Sequence, residues 1–415
     1  MKQKIICCFS LIVVVLLTTF LCLPPKDADI LKNTKELKKQ NVLAIMIETG
    51  EATDTYQEST SGSWPTYGYK FNRKLSRCTN GGELSWDKEK KIVSLSGNSD
   101  DKCYVYFDVG VESIADYCDT GTDLATCVKN FGDQGSAISN IYIHNSSLAN
   151  GAGDNSYRYA GASDKVNNFV CFGSTTSPCP TDNLYRIIGV FEDKVKLIKY
   201  DYASSNLLGT DGDYKGSGTP NPSLYKGSLT SINTYSWNYK AANTGSNTWS
   251  TSLLNKINLN TNYLNNIGPT WSNLIEDATW KVSGHTTTEI TPSEMYTREI
   301  TNATKTYGPS DGTSKIGLMY VSDYGFAASS SAWSIEIGYY SQGISVNWMY
   351  MGLDEWTISP YSSNSFSVFT LNNAGYVNNF AAGADYGSRP VLYLKASVLY
   401  AGGLGTKDSP ITLVV

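Results

Sequence analysis

The apolar and polar positions of this chain fall into three regimes. Residues 5–23 are uncharged and mostly apolar, with no polar face. At roughly 1.5 Å per residue such a run is long enough to cross about 30 Å of hydrocarbon as a helix, so a transmembrane anchor is predicted over 1–24, stopped by Pro24 and Pro25. From 27 to 48 the apolar residues Ile30, Leu31, Leu37, Val42, Leu43, Ile45 and Met46 recur loosely at helical spacing, which predicts a helical stalk over 25–50. Beyond it a two-residue alternation takes over. A small β domain is predicted over 51–110: 67–71 alternates, 84–86 and 92–95 flank a charged turn, and 104–107 is a further strand.

Residues 111–149 read as a connector holding a short helix within 114–131. The large domain is predicted over 150–415. Its clearest hairpin joins 185–191 to 195–199, and a second joins 366–371 to 376–377. Strands are expected at 315–320, 356–359 and 389–394, and helices at 249–264 and 271–280. Short strands with few helices predict an α+β fold.

The cysteines sharpen this picture. Cys7, Cys8 and Cys22 lie in the apolar run; the other six form a close-spaced series with no Cys-x-x-Cys. An apolar anchor followed by an even number of such cysteines predicts an oxidised, exported domain. Nearest-neighbour spacing pairs Cys78 with Cys103, Cys118 with Cys127 and Cys171 with Cys179, one of the fifteen patterns that six cysteines allow. The expected placement is a single-pass membrane protein with a cytoplasmic N-terminus and the large C-terminal part outside. A net charge of −5 without a basic stripe argues against nucleic acid.

Several segments carry a resemblance. They are 185–199, the 249–255 region, 315–327 (Lys-Ile-Gly-Leu-Met-Tyr-Val-Ser-Asp-Tyr-Gly-Phe-Ala), Trp356-Thr-Ile-Ser-Pro360, Arg389-Pro-Val-Leu-Tyr-Leu394 and 402–410. Together they resemble a group of uncharacterised, membrane-tethered surface proteins of Gram-positive gut-type bacteria. The domain of unknown function in that group is similar to the C-type lectin-like superfamily, including its formylglycine-generating-enzyme branch. Cys78, Trp86 and 102–108 resemble the small module that precedes it. The resemblance implies a C-type lectin-like C-terminal domain and no defined activity. Calcium-dependent sugar-binding lectins carry Glu-Pro-Asn or Gln-Pro-Asp and then Trp-Asn-Asp; none occurs here, and no cysteine follows Cys179. The residues for calcium-mediated sugar binding and for copper-thiol oxidation are therefore missing.

Little other chemistry is written in the chain. Its two histidines, His144 and His285, have no motif around them, and no Gly-x-Ser-x-Gly elbow stands out. Asp211 and Asp213 flank Gly212 in a Gly-rich loop, short of a full calcium set, and read as a solvated turn. Arg389 beside an apolar strand requires a carboxylate if buried, with Asp323, Asp354 and Glu355 as the candidates. Most tryptophans are expected in the core. Trp333 and the Asn347, Trp348, Tyr350 patch sit among polar residues and are the expected exposed ligand-binding surface. The chain is accordingly expected to be a non-catalytic surface binding or adhesion protein for a glycan or protein, without cofactor or metal. A cell-envelope glycan hydrolase using paired carboxylates is the alternative, and a structural component of a surface assembly is another.

Overall fold

The computed structural model describes residues 35–415 apart from 51–52, 66–67, 88–89, 244, 303–311 and 341–345. The expected anchor, Cys7, Cys8, Cys22 and the start of the expected stalk lie outside the described residues. Among the described residues no helix is long and apolar enough to cross a membrane. The chain divides after Val111 into two units, mostly strand with few helices.

The first unit is built from β1 (Lys35–Glu36), β2 (Val42–Glu48), β3 (Tyr56–Glu58), β4 (Tyr69–Phe71), β5 (Arg77–Cys78), β6 (Glu83–Asp87), β7 (Ile92–Ser96) and β8 (Cys103–Val109). The strand order is β3-β2-β8-β4 in one sheet, with β5 also on β8, and β1-β7-β6 in the other. The expected stalk helix is corrected here: its second half is strand. The run 42–48 is rich in Ile, Val, Leu and Met, and it pairs in parallel with β8 (Ile45 opposite Val105, Ile47 opposite Phe107). A near-continuous apolar run suits such a central strand as well as it suits a helix, and the packing decides. The core holds Leu37, Ile45, Val93, Leu95, Val105 and Phe107. Trp86 and Phe71 meet the Phe107 ring edge-on at 5.3 and 5.8 Å.

The second unit begins earlier than the sequence suggests. Residues 112–149 are no connector: Ile114, Leu124, Val128, Phe131 and Ile141 lie in the same core as the strands that follow. Helix α1 (Leu124–Gly132) turns that apolar face inward. The main sheet has seven strands. They include β9 (Ile141–Ile143), β10 (Tyr157–Tyr159), β11 (Phe169–Cys171), β12 (Leu184–Phe191) and β13 (Lys194–Lys199). Strands β12 and β13 are the expected first hairpin, tightly turned at Phe191 opposite Lys194. Gly189 is required there, because a Cβ would meet the Tyr157 carbonyl at 2.3 Å.

A lobe of shorter pieces stands on this sheet. Strands β14 (Tyr214–Gly218) and β15 (Ile232–Tyr235) pair antiparallel, as do β16 (Ala278–Trp280) and β17 (Gly312–Ser314). Strand β18 (Ile316–Gly317) joins the main sheet, and β19 (Glu355–Pro360), β20 (Ser367–Leu371) and β21 (Val377–Ala381) form a meander. Strand β22 (Val391–Tyr393) returns to the main sheet between β13 and β18. The helix expected over 249–264 is a π-helical stretch, Leu254–Tyr263, continued by α2 (Leu264–Ser272), which breaks at Gly268 and Pro269. The second expected helix, 271–280, is corrected: only Trp271 and Ser272 are helical, and 278–280 is β16. The strand expected at 315–320 is confined to β18, and helix α3 (Val321–Ala327) follows it.

All three cysteine pairs form as the spacing suggested: Cys78–Cys103, Cys118–Cys127 and Cys171–Cys179. They are consistent with an extracellular or secreted protein. The first closes the longest loop, with a sequence separation of 25 against 8 for the third. In the chain-entropy picture these loops are worth about 3.5 and about 2.6 kcal/mol. Replacing Cys78 and Cys103 by Ala is therefore expected to destabilise 35–111 by about 3.5 kcal/mol, more than the Cys171 and Cys179 pair costs its own unit. Hydrogen exchange resolved by segment measures both.

Candidate functional site

The turn between β20 and β21 begins the site. Asn372 Oδ1 accepts from the backbone N–H of Ala374 and Tyr376 (3.0 and 3.1 Å), folding the turn on itself. This leaves the Asn373 N–H to donate to Asp354 Oδ1 at 3.0 Å. Asp354 stands just before β19, and its carbonyl accepts from Gly387 N–H at 3.1 Å. Tyr386, next to that glycine, exchanges two backbone hydrogen bonds with Tyr235 of β15 (2.9 and 3.2 Å). Its ring lies 4.7 Å from Trp356 and 5.6 Å from Phe380. Gly387 must be glycine, since a Cβ there would meet the Tyr202 ring at 2.5 Å.

Of these, Asp354, Asn373, Tyr386 and Gly387 line an open cleft of about 270 Å³ with Asp385, Asn221 and Thr219. Asp354 is half-buried, and burial pushes its carboxyl up from the ordinary range, with the Asn373 N–H pulling the other way. Burial, with the charges of Asp354 and Asp385 beside it, pushes the Tyr386 phenol up to about 12. The cleft thus brings Asp354, Asp385, Asn221, Asn373 and Tyr386 to one concavity. Four separate segments supply them, so no local motif announces the site.

Beneath it lies the ion pair of Arg389. Its Nε donates to Glu355 Oε1 at 2.7 Å, both side chains are 1% exposed, and Nη2 donates to the Met349 carbonyl at 2.7 Å. Of the three expected partners the structure selects Glu355, the residue next to Asp354. Asp323 is paired elsewhere, with Lys196 Nζ at 2.5 Å and Arg158 at 3.7 Å. That cluster is core: Lys196 is boxed by Tyr320, Tyr393, Phe191 and Trp280 at 4.4–5.7 Å.

The expected exposed surface is corrected outright. Trp333, Asn347, Trp348 and Tyr350 are all 2% exposed or less. Their polar atoms are satisfied inside the fold: Trp333 Nε1 donates to Ala328 O (3.0 Å), Trp348 Nε1 to Tyr159 O (2.9 Å) and Asn347 Nδ2 to Tyr324 O (2.9 Å). Tyr350 alone touches the cleft wall, its hydroxyl donating to the Asn373 carbonyl at 2.5 Å. Asp213 is no solvated turn either. It is fully buried and accepts from the N–H of Lys240 (2.9 Å) and Leu253 (3.1 Å). Among the described residues no three His, Cys, Asp or Glu side chains gather as a metal site.

Several buried acids escaped the sequence reading, among them Glu48, Asp101, Asp201 and Glu299. Glu299 accepts from the N–H of Val321 and Ser322 at the start of α3 (2.9 and 3.0 Å) and from the Ser359 hydroxyl. Burial pushes its carboxyl up to about 7, against the pull of the Ser322 and Ser359 hydrogen bonds. Compared with known families, curated proteins and solved structures, the chain matches none.

Two outcomes are expected. Arg389→Met leaves Glu355 buried without its cation and should cost about 3–5 kcal/mol in urea unfolding; Arg389→Met with Glu355→Leu should recover much of this. Glu299 titrates higher folded than unfolded, so the native state binds more protons between the ordinary 4.5 and about 7. Its contribution is complete below that window and is lost as pH rises through it. Unfolding free energy should therefore fall with rising pH across the window, and Glu299→Gln should flatten the slope.

Proposed function

We propose that this chain is a non-catalytic recognition protein displayed outside the cell, held to the membrane by residues 5–23, and that its second unit takes a glycan in the Asp354–Tyr386 cleft. The observation that carries this reading is the lining. Hydroxyl-bearing rings are recognised by planar carboxylate and amide groups set beside an aromatic face, and Asp354, Asp385, Asn221, Asn373 and Tyr386 supply that set. The frame is rigid: β15, β19, the β20–β21 turn and the Arg389–Glu355 pair fix it from different directions. A C-type lectin-like architecture for this unit belongs to the same proposal, supported by its mixed strands and helices and by the sequence segments that carry the resemblance. The three disulfides support display outside the cell.

One observation favours a second reading. A carboxyl raised by burial and sharing a cleft with another carboxylate is the arrangement of a glycoside hydrolase, with Asp354 as the acid and Asp385 as its partner. A glycan array probed with the full-length chain in detergent tests both. The binding reading expects retained glycans, a signal lowered about tenfold or more by Tyr386→Ala, and no new reducing ends. Undiminished binding by Tyr386→Ala would remove the cleft from the proposal. Product release abolished by Asp354→Asn would replace binding with hydrolysis.

A further inference from the structure

Lys196 and Asp323 meet where neither can reach water. Lys196 stands within β13, a strand paired on both sides, by β12 and β22. Asp323 comes 127 positions later. It lies in the first turn of α3, where the Tyr320 N–H donates to its Oδ2 at 3.0 Å. The two side chains are 1% and 2% exposed. Lys196 Nζ lies 2.5 Å from Asp323 Oδ2, closer than the roughly 2.7–2.9 Å of a charge-assisted hydrogen bond. Two residues away on the same strand, Lys194 meets Glu276 at 3.2 Å with side chains 35% and 30% exposed, as an ordinary surface pair does.

The surroundings suit a neutral group better than an ammonium with its three donors. Besides Asp323, Lys196 has the Tyr393 hydroxyl and the rings of Tyr320, Tyr393, Phe191 and Trp280 at 4.4–5.7 Å. Two charges held in such an enclosure are costly, and joining them removes both at once. The rest of the cluster stays balanced without them, because Arg158 Nη2 already binds Asp154 at 2.6 Å.

We propose that Lys196 and Asp323 are joined by an amide bond that forms within the folded chain. The ammonium and the carboxylate are the only reactants. A proton passes from nitrogen to carboxylate, the freed amine adds to Asp323 Cγ, and one carboxylate oxygen leaves as water. That water carries two of the three ammonium protons, and the third stays as the amide N–H. Arg158 Nη1, 3.7 Å from Oδ1, and the Tyr320 N–H on Oδ2 meet the negative charge that builds on oxygen as the nitrogen adds. Fixed on a doubly paired strand and a helix turn, well-oriented groups react at an effective concentration on the order of 10⁵–10⁸ M. The Tyr393 hydroxyl remains to accept the amide N–H. The bond would tie the main sheet to α3 independently of any ligand in the cleft.

Mass spectrometry of the full-length chain purified in detergent tests this. After denaturation, disulfide reduction and trypsin digestion, the peptide holding Lys196 is expected attached to the peptide holding Asp323. The joined pair should be one water lighter than the sum of the two, with no cut after Lys196. Lys196→Arg keeps a cation beside Asp323 but offers no amine. It should give two separate peptides of full mass and, after reduction, a slower band in a denaturing gel than the looped wild-type chain. Separate Lys196 and Asp323 peptides of full mass from the folded wild-type chain would leave only an ion pair and overturn the proposal. A water lost instead between another pair, such as Lys199 and Asp182 at 3.6 Å, would overturn it as well.

Discussion

The Arg389–Glu355 pair is the constraint on which the arrangement of the second unit turns. Both groups are nearly inaccessible to water, and removing two charges from water costs several kcal/mol each unless geometry and further hydrogen bonds compensate. The compensation here is topological. Glu355 opens β19, and Arg389 stands two residues before β22, which lies in the main sheet. The pair therefore ties the meander to the main sheet, and Arg389 adds a bond to the Met349 carbonyl. Asp354 and Tyr386 are each within three residues of one partner, so the cleft takes its shape from charges it does not expose.

The same device recurs deeper in the unit. Lys196, Arg158 and Asp323 form a second buried cluster, with Asp154 held by Arg158 at 2.6 Å. The Arg186 guanidinium lies 4.6 Å from the Trp348 ring and donates to the Trp348 carbonyl at 3.1 Å. A chain with 29 tyrosines and 9 tryptophans surrounds its buried cations with rings, which attract them and leave few donors unmet. Each such cluster specifies one arrangement of several strands.

What could be read from the sequence was local. The hairpin at 185–199, the β20–β21 hairpin and the three cysteine pairs all join near neighbours, and their alternation and spacing are visible without the fold. The parallel pairing of β2 with β8 joins residues more than fifty positions apart, and its apolar run has no period to tell strand from helix. Trp333 and Trp348 looked exposed because serines and asparagines flank them; the Asn347 amide and both indole N–H groups bond to buried carbonyls, which sequence does not display. The cleft was half legible. Asp354 and Glu355 were singled out, but their opposite roles, one facing the cleft and one neutralising Arg389, appear only when Asp385, Tyr386 and Asn373 arrive from elsewhere in the chain.

The parallel register of β2 and β8 has a mechanical consequence. The chain enters β2 at Val42 and leaves β8 at Val109, and the two strands point the same way. Tension applied across those two points loads the hydrogen bonds between them sideways and all at once, where an antiparallel hairpin would peel one bond at a time. A domain wired in this way resists being stretched between those two points.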